Sequence, residues 1–160
     1  MKKLLGVAIT LALNISTAKA VTCEEFVARF VEGAAVYKVP VPKFDLWWVN
    51  PLDADWRYFK ITTFDDVRAI MGCRHGWVST FAVDANDAEG MSTVHVSALT
   101  AVGLYGDGLT WEEAVAARNE LMREVKGGES LTAKRTIEDA EVSLIISVAG
   151  VASFQIDNMR

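Results

Sequence analysis

The chain has 160 residues, with 16 Lys and Arg against 21 Asp and Glu for a net charge of −5, and 51% of its residues are hydrophobic. That length supports one well-formed core and not two. The acidic balance disfavours nucleic acid and anionic lipid headgroups as partners, because both repel a negative surface.

Met1-Lys2-Lys3 gives a positive start, Leu4 to Ile15 is largely apolar, and Ala18-Lys19-Ala20 has the small-x-small form of a signal-peptidase site. The pattern predicts a cleavable signal peptide over residues 1–20 and one domain over 21–160, working in a periplasm or outside the cell. Asn14, Ser16 and Thr17 interrupt the run before it reaches the ~20 apolar residues of a membrane span, so no stable membrane anchor is expected after cleavage. As a structural helix, the leader would put Lys2 and Lys3 at the wrong end of the dipole. Ala20-Val21-Thr22 before Cys23 also lacks the Leu and the small residue of a lipoprotein site. Cleavage removes three lysines and leaves 13 basic against 21 acidic residues, a net charge of about −8.

Cys23 and Cys73 are the two cysteines. In an oxidising compartment they allow one intramolecular pairing, a disulfide whose loop closure contributes about 4 kcal/mol in the chain-entropy model. Zinc needs more ligands than Cys73-Arg74-His75 offers, and no C-x-x-C is present. No metal and no cofactor are expected.

The first predicted element is a helix from Thr22 to about Tyr37. Thr22-Cys23-Glu24-Glu25 is a capping box, and Cys23, Phe26, Val27, Phe30, Val31 and Ala34 share one face. Val39-Pro40-Val41-Pro42 cannot be helix or central strand. Residues 43–55 read as irregular with a turn at Asn50-Pro51, and Trp56 to Thr63 as a strand. Thr63-Phe64-Asp65-Asp66 looks like a second cap, predicting a short helix to about Met71 with Gly72 as its terminator. Trp77 to Val83 is a strand. The polar turn 84–90 has the acidic pattern of a calcium loop, but Ala88 and Glu89 stand where an oxygen ligand and a glycine are needed.

Residues 91–105 are ambiguous, since 92–96 suits a strand, and helix is the favoured reading. Gly106-Asp107-Gly108 breaks the chain. Thr110-Trp111-Glu112-Glu113 opens a third cap and a helix that ends at Gly127-Gly128. Asp107, Glu112 and Glu113 load that helix start with negative charge, which argues against a phosphate there. After a charged connection, Val142, Leu144, Ile146 and Val148 alternate with their neighbours as a strand, paired in a hairpin with Ala152 to Ile156. The expected fold is α+β: a mainly antiparallel sheet of about four strands, helices on one face, one disulfide.

Two features could carry a site. Trp47, Trp48, Trp56 and Tyr58 would make an aromatic platform for a sugar ring, a peptide or a partner protein, unless they only pin down a long loop. Trp47 and Trp48 cannot both face inward on extended backbone. Arg118 falls within the apolar stripe of the last helix, where it must snorkel, pair with a carboxylate or line an anion site. His75 and His95 are the only imidazoles, and no G-x-S-x-G accompanies them. The expectation is an exported non-enzymatic binding protein, of inhibitor or immunity type, recognising a protein or envelope component. The alternatives are a small envelope hydrolase built around Arg118 and a histidine, or a structural accessory of the envelope. A concave pocket holding Arg118 and a histidine would favour the hydrolase; an exposed tryptophan patch would favour the binder.

Overall fold

Helix α1 (Cys23–Tyr37) starts where its sequence requires. The Thr22 hydroxyl accepts from the Glu25 N–H at 3.1 Å, and the Glu25 carboxylate accepts from the Thr22 N–H at 3.1 Å. Both are helix-start donors that would otherwise lack partners. Lys38, in the left-handed conformation at φ 58°, ends the helix. In this computed structural model residues 20–85, 90–127, 132–137, 140–146 and 152–157 are described. The expected leader, apart from Ala20, and the centre of the acidic turn at 86–89 lie outside them.

Four antiparallel strands follow: β1 (Lys43–Asn50), β2 (Asp53–Phe64), β3 (Val67–Arg74) and β4 (Trp77–Ala85). Two of these correct the sequence reading. Residues 43–50 are not irregular; Leu46 pairs with Phe59 and Trp48 with Tyr58, so Trp47 is the extra residue of a bulge that breaks the two-residue period. Residues 67–74 are not a helix. Val67, Ala69, Met71 and Cys73 are buried and alternate with the more exposed Arg68, Ile70 and Arg74, only Gly72 being buried on the other face; that is strand periodicity, and Asp65-Asp66 is the tight turn between Phe64 and Val67. His75 and Gly76, at φ 52° and 84°, form the two-residue turn into β4. Both positions need the left-handed region in a type I′ hairpin, and His tolerates it better than most side chains.

Helices α2 (Gly90–Gly106) and α3 (Trp111–Gly127) come next, as the sequence predicts, with α3 capped by Thr110 and Glu113. The chain closes with β5 (Thr132–Ile137), β6 (Ala140–Ile146) and β7 (Ala152–Asp157). One seven-stranded antiparallel sheet results, in the order β1-β2-β3-β4-β7-β6-β5. The expected sheet of about four strands is therefore too small, because β1, β3 and β5 read as something else. The α+β class and the single disulfide stand. β5 is an edge strand with one buried side chain, Ala133, and its Arg135 reaches Glu120 and Glu124 of α3 at 2.8 and 3.1 Å. That much charge hides a strand in the sequence and protects it in the fold.

All three helices lie on one face, with α2 between α1 and α3 and over β4 and β7. Phe81 is the centre of the core. Its ring lies 5.4, 5.5 and 6.3 Å from those of Phe26, Phe30 and Phe154. A Cβ on Gly103 would come within 2.3 Å of the Phe81 ring, so α2 can rest on β4 only with glycine there. Arg29 of α1 donates to the carbonyls of Tyr105 and Leu109 at 2.9 and 2.6 Å, closing the turn after α2.

The Cys23–Cys73 disulfide joins the first turn of α1 to the end of β3, with Cα atoms 6.1 Å apart. It ties a helix to the sheet rather than to a second helix. Main-chain bonds from Cys23 N–H to Gly76 C=O and from Val78 N–H to Val21 C=O hold the same junction.

Candidate binding face

Period-two alternation gives each strand a second set of side chains pointing away from the helices. Among the described residues no element covers them. Ile61 and Phe59 face the core, so Lys60, Tyr58 and Trp56 face outward. The register then lines up a row across the whole sheet: Trp48 opposite Tyr58, Tyr58 opposite Gly72, Gly72 opposite Thr80, Thr80 opposite Asp157, Asp157 opposite Glu141.

The β1 end of this row is aromatic. Trp48 and Tyr58 have ring centroids 5.6 Å apart, Tyr58 and Trp56 6.0 Å, and the Arg74 guanidinium stands 5.1 Å over Trp56. Asp53 holds Arg74 from the other side at 3.3 Å. Gly72 makes the arrangement possible. A Cβ there would meet Thr80, Ser79 and Tyr58 at 2.8, 2.9 and 3.1 Å, so Tyr58 lies across the bare glycine backbone.

The other end is polar and ordered. The Thr80 hydroxyl donates to one Asp157 oxygen at 2.7 Å and the Gln155 amide to the other at 2.5 Å. Ser153 donates to Asp84 at 2.6 Å, and Arg68 pairs with Asp84 at 3.3 Å. Between the two ends the face dips into a depression of about 480 Å³, walled by Trp56 and Tyr58 on one side and Gln155 and Asp157 on the other. A neighbouring depression of about 500 Å³ shares Gln155 and Asp157 and runs to Lys134 on β5. Trp56 Nε1 and Ser79 Oγ, both in residues lining the first depression, are buried without a hydrogen-bond partner among the described residues.

Of the residues the sequence singled out, the structure unites Trp48, Trp56 and Tyr58. Trp47 occupies the bulge, 61% exposed, outside the ring cluster. Arg118 is on α3, on the far side of the sheet. It donates to the Ser97 hydroxyl at 2.7 Å and its guanidinium lies 5.6 Å from the Tyr37 ring, so among the described residues its partners are a hydroxyl and a ring rather than a carboxylate.

The histidines serve other contacts. His95 Nδ1 lies 2.7 Å from Asp66, and its ring stacks on Phe64 at 3.9 Å, clamping the β2–β3 turn to α2. His75 lies 3.7 Å from both Asp53 and Asp55. These three residues bring donor atoms within 4.8 Å of one another, the one such group among the described residues. Arg74 already occupies the Asp53 oxygen nearest His75, so one of the two carboxylates is compensated from within the protein. Both cysteines are consumed by the disulfide, which leaves no thiol nucleophile.

Arg74, Gly72, Thr80, Gln155 and Asp157 are the site residues the sequence reading missed. Gly72 and Arg74 become visible once 67–74 is read as a strand. Gln155 and Asp157 alternate with buried Phe154 and Ile156, a signal that was available in the last hairpin. Comparison with protein-family models, curated sequences and solved structures returns no match.

Proposed function

We propose that this protein is an exported, non-enzymatic binding protein that takes its ligand on the uncovered face of the sheet. One observation carries the reading: Trp48, Tyr58 and Trp56 form a continuous cluster, with Arg74 against it, on a face that no described element covers. Aromatic and arginine side chains offer much contact area for little lost freedom, and dominate recognition surfaces for that reason. An isolated buried tryptophan would need no such account; a cluster of this kind on an open face does.

Export rests on the leader pattern and is supported by the disulfide, which persists in oxidising compartments. Among the described residues no helix is long and apolar enough to cross a membrane. The hydrolase alternative loses support because Arg118 and the histidines do not converge. The partner is a protein or an envelope component, with an inhibitor or immunity role as the narrower version, and not a nucleic acid.

Hydroxyl-radical footprinting of the purified protein in envelope extract tests the reading. Trp48, Trp56 and Tyr58 should lose reactivity while exposed side chains on α1 keep theirs. Protection confined to the helical layer, or none anywhere, would overturn it. The mass of the exported protein should correspond to a start at Val21; an intact Met1 would refute export by cleavage.

A further inference from the structure

The chemistry of the open face narrows the ligand, on the proviso that this face is the binding face. We propose that it takes a neutral glycan chain laid across the strands, its ring faces against Trp56 and Tyr58 and its hydroxyls on Gln155 and Asp157.

A sugar ring has an apolar C–H face and a rim of hydroxyls, each both donor and acceptor. The first depression offers the complement: an aromatic wall facing a wall of carboxylate and amide. Asp157 is held in place by Thr80 and Gln155, so its remaining lone pairs are fixed acceptors for hydroxyl donors.

Charge argues for neutrality. Arg68 is paired with Asp84 and Arg74 with Asp53, so neither arginine is left to attract an anion. An anion approaching the polar wall meets Asp84, Asp157 and Glu141. The Arg74 guanidinium beside the Trp56 ring repels a further cation there, whereas a neutral ring meets no such repulsion.

Extent argues for a chain. The two depressions share Gln155 and Asp157, making one shallow track from β2 to β5. Five strand spacings of ~4.8 Å give that track a length of about 24 Å, more than one sugar ring occupies.

Affinity electrophoresis of the full mature chain through gels containing dextran, galactomannan or hydroxyethylcellulose, with chito-oligosaccharides as soluble competitors, tests the proposal. Retardation by at least one of these is expected. Trp56→Ala should weaken it at least tenfold, Trp56→Phe should largely restore it, and Asp157→Asn should weaken it from the opposite wall. Trp47→Ala should leave it unchanged. Circular dichroism of each variant separates lost binding from lost fold. If no glycan retards the protein, or if Trp47→Ala matters as much as Trp56→Ala, the inference is overturned. Footprinting in envelope extract separates this failure from that of the broader reading. Protection of the open face that protease abolishes and periodate spares would leave a binding face with a protein ligand; no protection at all would remove both.

Discussion

The two faces of this sheet are made by the same strands, residue by alternate residue, and obey different rules. On the helix side, Phe81, Val83, Phe154 and Ile156 are fully buried and interlock with α1 and α2. On the open side, their neighbours Thr80, Ala82, Gln155 and Asp157 are small or polar, and large rings gather only at the β1 end. Area buried on the first face stabilises the fold; area left open on the second does not. The contrast implies that stability and recognition can be altered separately, and it can be broken at definite places.

The largest effect should come from Phe81→Ala. The ring contacts three other phenylalanines and carries the α2 backbone at Gly103, so its loss leaves a cavity that rigid neighbours cannot fill. Urea unfolding should show a loss of ~3–5 kcal/mol. Trp48→Ala, on the other face, should cost about 1 kcal/mol, mainly the ring contact with Tyr58. Equal losses from the two variants would end the distinction between the faces. Replacing both Cys23 and Cys73 with alanine ranks next, at ~2–4 kcal/mol, and should leave the open face intact. Alkylation and mass spectrometry of the unreduced wild type should find no free thiol.

Gly72→Ala is the sharper probe, because it asks whether the open face has packing demands of its own. The added methyl group would meet Thr80, Ser79 and Tyr58 inside normal contact distance. Part of that strain is relieved by swinging the Tyr58 ring away, at an expected cost of ~1–3 kcal/mol. Near-ultraviolet circular dichroism should register the displaced ring before denaturation reports any global change. A neutral outcome in both measurements would mean that the aromatic cluster does not depend on the bare backbone beneath it.

How much of this was legible in the sequence follows from the range over which each feature is determined. The caps at Thr22–Glu25 and Thr110–Glu113 lie within four residues, and both formed as read. The disulfide was legible because two cysteines admit one pairing. β6 and β7 alternate cleanly and were recognised as a hairpin. β1 was hidden by the Trp47 bulge, β5 by the charge of an edge strand, and β3 by a turn, Thr63-Phe64-Asp65-Asp66, that imitates a helix cap. Misreading β3 also hid what Gly72 does: it looked like a helix terminator, and it is the floor beneath Tyr58. The site was half legible for the same reason. Its rings are close in sequence, whereas its polar wall comes from β7, the last strand, which slots between β4 and β6 and brings Asp157 beside Thr80. No local pattern announces that insertion.

The smallest predicted effect tests the separation from the helical side. Glu113 has its pKa held below the ordinary carboxylate range, first by the hydrogen bond with the Thr110 hydroxyl and then by that from the Thr110 N–H. A carboxyl whose folded pKa is depressed contributes stability that is present above its unfolded pKa. That contribution is lost as the pH falls through the lower, folded value. Acidification below the usual carboxylate range should therefore loosen the first turn of α3 and raise amide exchange there. Thr110→Ala should remove most of that pH dependence, because it deletes the hydroxyl that contributes most to the shift. Exchange on β2 and β3 under the aromatic cluster should follow the same pH course in wild type and variant, since α3 packs on β5 and β6 at the other end of the sheet. If Thr110→Ala altered exchange on β2 and β3 as well, the two faces would be coupled through the core, and a ligand on the open face would be expected to stabilise the α3 cap in return.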